Sequence, residues 1–398
     1  MSAFVYAATR TPFGRFNGAL SGSRPDDLAA GVIKAVLAKA PAFDPAGIDE
    51  VVWGNANGAG EENRNVGRMA SLLAGVPVSV PGTTVNRLCG SSLDAAMIAS
   101  RQIETGDAEV ILTGGVESMT RAPWVLPKPS RAFPATDVTA VSTSLGWRLV
   151  NPAMPGEWTV SLGEANEQLQ EKFDVSRARQ DEFAARSHRL ADAAWAEGFY
   201  DDLVAPVDDV ELARDEGIRP TTSVAVLAGL KPVFRENGTI TAGNASPLND
   251  GASAVLLGSE KAAAIIGLDP IARIIGRGAM ALEPQYFGYA PVEAANRALT
   301  RAGVTWDQVG AVELNEAFAV QSVVCVDAWL KQGLRDPEIV NQKGGAIAIG
   351  HPLGASGGRI LGTLAKVLRQ RKERYGVAAI CIGVGQGLAV VLENTEVA

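Results

Sequence analysis

Histidine and cysteine are scarce in this chain, with two of the first and three of the second among 398 residues. Cys89, Cys325 and Cys381 are too far apart to form a disulfide framework or to show metal-ligand spacing, so a reducing compartment is expected. Excess positive charge is also missing. A formal net charge of −8 argues against a nucleic-acid partner or a membrane surface, although a local basic pocket for an acidic ligand stays compatible with it. No apolar run is long enough to span a bilayer. The opening "MSAFVYAATRTPFG" reads as strand and turn, not as a targeting leader, so a cytoplasmic location is expected.

What remains is an ordinary globular composition, 47% hydrophobic and 20% charged, long enough for two cores. Two parts of the chain repeat one order of elements. In the first, a helix with Leu28, Val32, Val36 and Leu37 on one face leads to the strand "DEVVWGN". A helix around Val66 to Leu73 follows, then a loop and helix beginning near Cys89, then the strand "AEVILTGG". In the last third, "PVEAANRALTRAG" leads to "VGAVELNE" and a helix through Ala317 to Leu330. A glycine-rich loop then opens the helix "GASGGRILGTLAKVL", before the strand "VAAICIGVG". Residue identity between the halves is slight. The pattern predicts two α/β layers of one topology, each a sheet covered by helices. Residues 119–249 break it with Pro, Trp and charge, and hold one evident helix, "VSRARQDEFAARSHRLADAAWAEG". They read as an inserted loop domain over the sites.

Four stretches could carry chemistry. Cys89 stands where a polar loop turns into a helix, and helix-start N–H groups and the dipole favour a thiolate. It is either a small buried filler or a nucleophile. "NQKGGAIAIGHPLGASG" sets His351 among glycines, where a base can approach a ligand and titrate near neutrality. The other histidine, His188, lies mid-helix, as a solvated or packing residue would. "AAICIGVGQG" ends a strand at Cys381 and exposes backbone amides beyond it, as an oxyanion hole needs. "ELNEAFA" places Asn315 and Glu316 after a strand, where Asn315 could equally cap a helix. Together, two thiols and an imidazole at matching ends of repeated units point to acyl chemistry by a nucleophile and a base. A cysteine protease would need no second thiol and leaves the paired units unexplained.

The motifs "VNRLCGSSLDA", "GGVESMTRAP", "TAGNASPLNDGA", "LNEAFA", "GGAIAIGHPLGASG" and "CIGVGQG" resemble, in order and over nearly the whole chain, those of the thiolase family. The resemblance implies two duplicated α/β domains in a five-layered α-β-α-β-α body with an inserted loop domain. It divides the chain into 1–118 with 250–268, the loop domain 119–249, and 269–398. It implies a dimer, often assembled into tetramers. By the same resemblance Cys89 is the acylated nucleophile, His351 its base, Cys381 the acid/base thiol and Asn315 the residue that positions a water. Gly383 lends an N–H to an oxyanion hole, and Arg219 and Ser246 contact coenzyme A. Ala317 and Phe318 lie near its pantetheine arm. Coenzyme A and acetyl-CoA enter as substrates, with no prosthetic group and no metal.

The implied activity is cleavage of a 3-ketoacyl-CoA by CoA, or the reverse Claisen condensation. Two departures stand out. "GVG" replaces the family's Gly-Gly-Gly after Cys381, from which only a small local effect is expected. Ser161 and Leu162 stand where short-chain biosynthetic members carry a His-Met pair, and "GWRLVNP" is similar to the degradative and β-ketoadipyl-CoA branch. Degradation is therefore favoured over biosynthetic acetoacetyl-CoA formation. Arg121, Lys128, Arg131 and Arg148 are candidates for a second substrate carboxylate, or simply solvated charges. A ketoacyl synthase would lack Cys381, and a non-catalytic lipid-binding relative would have lost one of the four reactive residues.

Overall fold

The structure is a computed structural model and describes residues 1–397. Its first half runs β1 (Ala3–Arg10), the short β2 (Gly14–Arg15), α1 (Pro25–Ala38), β3 (Glu50–Gly54), α2 (Val66–Leu73), β4 (Gly82–Val85), α3 (Ser91–Thr105) and β5 (Val110–Ser118). The middle holds the two-residue strands β6 (Trp124–Val125) and β7 (Val141–Ser142), then α4 (Leu162–Phe173), α5 (Arg177–Ala196) and α6 (Val224–Ala228). The chain returns as β8 (Asn249–Gly258) between β1 and β5, followed by α7 (Ala262–Ile266). The last part is β9 (Ala272–Ala281), α8 (Ala290–Ala302), β10 (Val309–Leu314), α9 (Ala319–Lys331), α10 (Ala346–Ile349), α11 (Ser356–Arg371), β11 (Tyr375–Ile382) and β12 (Gln386–Asn394).

The duplication anticipated from the pattern of elements is visible strand by strand. One half is ordered β4-β3-β5-β8-β1, and the other β10-β11-β12-β9. β3 and β5 are parallel, as are β10 and β11, and each pair continues into two antiparallel neighbours. Even β4 has a counterpart, reduced to one parallel bridge from Val340 to Val312. The halves are not separate sheets, however. Ala3–Val5 of β1 pair with Ala272–Ile274 of β9, making one ten-stranded sheet. Because α3 and α11 each pack on strands of both halves, the sheet folds back on itself with these two helices between its layers.

Three large apolar cores and two smaller clusters follow. The central one joins α3 and α11 to the inner faces of both halves, through Leu93, Met97, Ile360, Leu364 and Ile380. The outer ones place α1 and α2 over one half and α8 and α9 over the other, around Trp53 and Trp329. Burying each such large apolar side chain stabilises the fold by about 1.5–3 kcal/mol. The glycine-rich start of α11 has a steric reason, since a Cβ on Gly357 would lie 2.2 Å from the Leu93 amide nitrogen. α3 and α11 could not approach so closely with a larger residue there.

The middle segment contains more helix than the sequence pattern suggested. α4 is an additional helix, with Ser161 accepting the Glu164 N–H at 3.2 Å as its N-cap and Asp174 in the left-handed region at its end. It was missed because only one face is apolar over 12 residues, and Gly163 weakens its helical signature. Its buried Glu167 accepts N–H bonds from Thr239 and Ile240, which ties the segment leading to β8 to the helix. No helix among the described residues is long and apolar enough to cross a membrane.

Candidate active site

Cys89 sits in a one-turn 3-10 segment, Leu88–Gly90, immediately before α3. Leu88 takes a φ of +45°, so the chain turns sharply into the thiol. Its opposite wall comes from the other half. Gly383, just past the end of β11, lines the space around the Cys89 thiol, and its backbone N–H favours the thiolate. The sheet layers meet here because the first turn of α3 abuts the end of β11, with Gly90 against Ile382.

His351 reaches the same place from the loop between α10 and α11. Gly350 enters it with a φ of +117°, and Asn249 Oδ1 accepts the His351 backbone N–H at 2.8 Å. Ser356 Oγ lies 2.6 Å from His351 Nδ1 and donates its own proton to Pro352 O at 3.0 Å. A hydroxyl has one proton, so Nδ1–H must be the donor to Ser356 and Nε2 carries the free lone pair. Asn315, held by its N–H to Ala379 O, places Nδ2 3.3 Å from both ring nitrogens. Arg359 Nη2 donates to Asn315 Oδ1 at 3.2 Å, which fixes which end of that amide faces the ring. Arg359 is itself ion-paired with Glu313 at 3.2 Å, with both side chains buried.

The electrostatics correct one sequence expectation. The helix start was expected to favour the thiolate, yet burial pushes the Cys89 thiol up to about 11. The Gly383 and Cys89 backbone N–H groups pull it down, and Glu117 adds to the rise, so desolvation wins. Burial, aided by the Arg359 charge, lowers His351 to about 3. The site therefore holds a neutral thiol and a neutral imidazole, not a preformed ion pair. Cys381 is fully buried among Ala317, Phe318 and Phe287, and its thiol is pushed well up by burial and then by the neighbouring Cys89.

Two cavities meet at Cys89. One, of about 400 Å3, is lined by Cys89, His351, Gly383, Ser246, Ala317 and Phe318, together with α4 residues such as Leu162. Ser246 Oγ donates to Ala317 O at 3.0 Å, which locks these two walls together. The other, of about 280 Å3, shares Cys89, Met119, Trp147 and Gly383 and runs toward Asn57, Thr143 and Arg148. Arg219 lies apart from both. Its side chain is exposed, and its backbone N–H goes to Nδ1 of His188, a buried histidine lowered to about 4 by burial. His188 is thus a packing residue and not a solvated one. Glu316 is likewise structural, buried and bonded by Ser187, Asn341 and the Ile347 N–H. Cys325 is a core residue whose thiol donates to Gly288 O.

Ser356, Asn249, Arg359 and Glu313 were missed in the sequence. Ser356 could have been found five residues after His351. Nothing local signals the Glu313–Arg359 pair, because its partners are 46 residues apart.

Comparison with known proteins agrees with this geometry. The family model described as "Thiolase, N-terminal domain" matches residues 3–261, and "Thiolase, C-terminal domain" matches residues 268–394. A "Beta-ketoadipyl-CoA thiolase" of Acinetobacter baylyi is 45% identical over 98% of this chain and 99% of its own. A "3-oxoadipyl-CoA/3-oxo-5,6-dehydrosuberyl-CoA thiolase" of Escherichia coli is 46% identical with the same coverage. The crystal structure of human mitochondrial 3-ketoacyl-CoA thiolase in complex with CoA superposes with a TM-score of 0.91 at 36% identity, covering 99% of this chain and 98% of that one.

Proposed function

The chain belongs to the thiolase family, an acyltransferase family, and from that premise we propose that it cleaves β-ketoadipyl-CoA with free CoA to acetyl-CoA and succinyl-CoA. The observation that carries the chemistry is Cys89 at the junction of two cavities, with Gly383 and His351 on the wall. The names of the relatives support the substrate.

His351 Nε2 takes the Cys89 proton as the sulfur attacks the C3 carbonyl. Since neither group is charged at rest, the ion pair forms only as bond making proceeds, and the two backbone N–H groups of Cys89 and Gly383 receive the oxyanion. The C2–C3 bond then breaks. Its electron pair becomes the acetyl-CoA enolate, whose oxygen faces His351 and a water positioned by Asn315. Cys381 donates its proton to C2, completing acetyl-CoA. The His351 imidazolium hands its proton to the Cys381 thiolate and is then free to take the thiol proton of incoming CoA, which attacks the succinyl-Cys89 thioester and releases succinyl-CoA; that proton passes from His351 to the departing Cys89 thiolate. Ser246, Ala317 and Phe318 line the arm that would hold pantetheine, and Arg219 would meet the far end of CoA. Assembly into dimers or tetramers in the cytoplasm accords with this reading, as does division into an N-terminal unit, a loop domain and a C-terminal unit.

The test is product analysis after mixing the protein with β-ketoadipyl-CoA and CoA. Equimolar acetyl-CoA and succinyl-CoA, with a succinyl-sized mass gain on the parent and none on Cys89→Ala, is the expected result. Turnover of acetoacetyl-CoA alone would overturn the substrate assignment.

A further inference from the structure

Four cations in and near the middle segment could answer a second carboxylate on the substrate, and the structure separates them. Arg121 is already paired with Glu61 through Nε and Nη2. Lys128 and Arg131 are exposed and line neither cavity at Cys89. Arg148 does line one. It is half-buried on the wall of the smaller cavity, the same cavity that ends at Cys89.

Its partners are neutral. Nη2 donates to Asn57 Oδ1 at 3.1 Å and Nη1 to the Thr143 carbonyl at 3.3 Å. Asn57 is in turn held by its Nδ2 on Thr143 and by its N–H on Glu117. Among the described residues no carboxylate forms an ion pair with Arg148. A guanidinium held in place by neutral acceptors keeps its charge and its remaining N–H donors available. Glu117, which also lines this cavity, has its carboxylate occupied by the N–H groups of Ala56, Asn57 and Gly354. Burial moreover raises it to about 7. It therefore opposes an anionic chain less than its formal charge implies. The rest of the cavity lining mixes apolar side chains, such as Met119, Leu162 and Leu353, with the neutral polar residues Asn86, Ser118 and Ser144.

We propose that Arg148 is the specificity residue of the acyl pocket, binding the terminal carboxylate of a short ω-carboxyacyl chain carried on Cys89. A cavity of about 280 Å3 that joins the nucleophile to a guanidinium without a carboxylate partner suits a short chain ending in a carboxylate, with bidentate geometry available to the pair. The inference rests on the thiolase reading above and adds the residue that selects the chain.

The test compares kcat/KM for β-ketoadipyl-CoA and 3-ketohexanoyl-CoA, which match in length and differ in the carboxylate. It is run on the parent, Arg148→Met and Arg148→Lys. The preference for the carboxylated substrate should fall about 100-fold in Arg148→Met, as expected for loss of one partner of a sheltered charge pair. Arg148→Lys should fall between, keeping the charge and losing the fork. A parent-like preference in both variants overturns this inference and leaves the thiolase reading intact. A parent that cleaves only 3-ketohexanoyl-CoA overturns the inference together with the β-ketoadipyl assignment, and a parent that cleaves neither overturns the activity itself. Should a variant fail to fold, acylation of the parent by succinyl-CoA against butyryl-CoA, read by intact mass, decides it: faster succinylation supports the inference, and equal or slower succinylation overturns it.

Discussion

Arg359 Nη2 and Asn315 Oδ1 are 3.2 Å apart, and that contact determines which face of the Asn315 amide meets His351. An amide turned the other way would present an oxygen in place of a donor, which could not hold the proposed enolate-facing water in the same orientation. Arg359 thus acts through Asn315, as a positioning residue.

Replacing Arg359 by Met should lower kcat by about 10–100-fold, the scale of one lost anion-stabilising donor or less, with little change in KM. Glu313 should be changed to Gln in the same variant, because a buried carboxyl stripped of its arginine costs about 3–5 kcal/mol. Since Arg359 also lowers His351, its loss should move the imidazole pKa upward. The chain has only two histidines, so imidazole NMR can follow both, with a His188 variant assigning them. An unmoved His351 signal with unchanged kcat would remove the positioning role.

Neutral resting partners make a specific pH signature. With Cys89 near 11 and His351 near 3, alkylation of Cys89 by iodoacetamide should rise about tenfold per pH unit between 6 and 9.5, following the thiolate fraction. A plateau below pH 9 would mean that a thiolate–imidazolium pair already exists without substrate.

Cys381→Ala should separate the two half-reactions. The variant should still take up an acyl group on Cys89 from acyl-CoA, while C–C cleavage falls by about 100–10,000-fold through loss of the acid. Exchange of the acetyl-CoA methyl protons with deuterated solvent, which needs the same group as base, should vanish too. Normal exchange in Cys381→Ala would assign the proton to another residue.

Val384 carries a φ of +62°, a region costly for a β-branched side chain. The sequence comparison anticipated only a small effect there, and the backbone makes it a strained position beside Gly383. Val384→Gly should relieve about 1–2 kcal/mol of strain and return about 0.4–1 kcal/mol to unfolded-state entropy. The net gain should raise the thermal midpoint by about 1–3 °C. A fall in the midpoint would mean that the pocket contacts of Val384 outweigh its strain.

Local pattern carried much of this protein. Periodicity placed α1, α2, α3, α8, α9 and α11 and exposed the duplication, because an amphipathic face or a buried strand is written in consecutive residues. It missed α4, whose single apolar face is short and interrupted by Gly163, and it could not show that β1 and β9 join the two sheets, since hydrogen bonds between strands 267 residues apart leave no local trace. Cys89, His351, Asn315 and Cys381 were picked out by their glycine-rich and helix-start settings.

Charge and selection were decided elsewhere. The helix start at Cys89 argued for a thiolate, and burial between two sheet layers reversed that. Four cations looked alike in the sequence, and the ion pair to Glu61 and the course of one cavity left Arg148. Motifs and periodicity are properties of neighbours along the chain. Desolvation, ion pairing and the walls of a cavity arise between residues far apart in it, so only the folded chain could settle them.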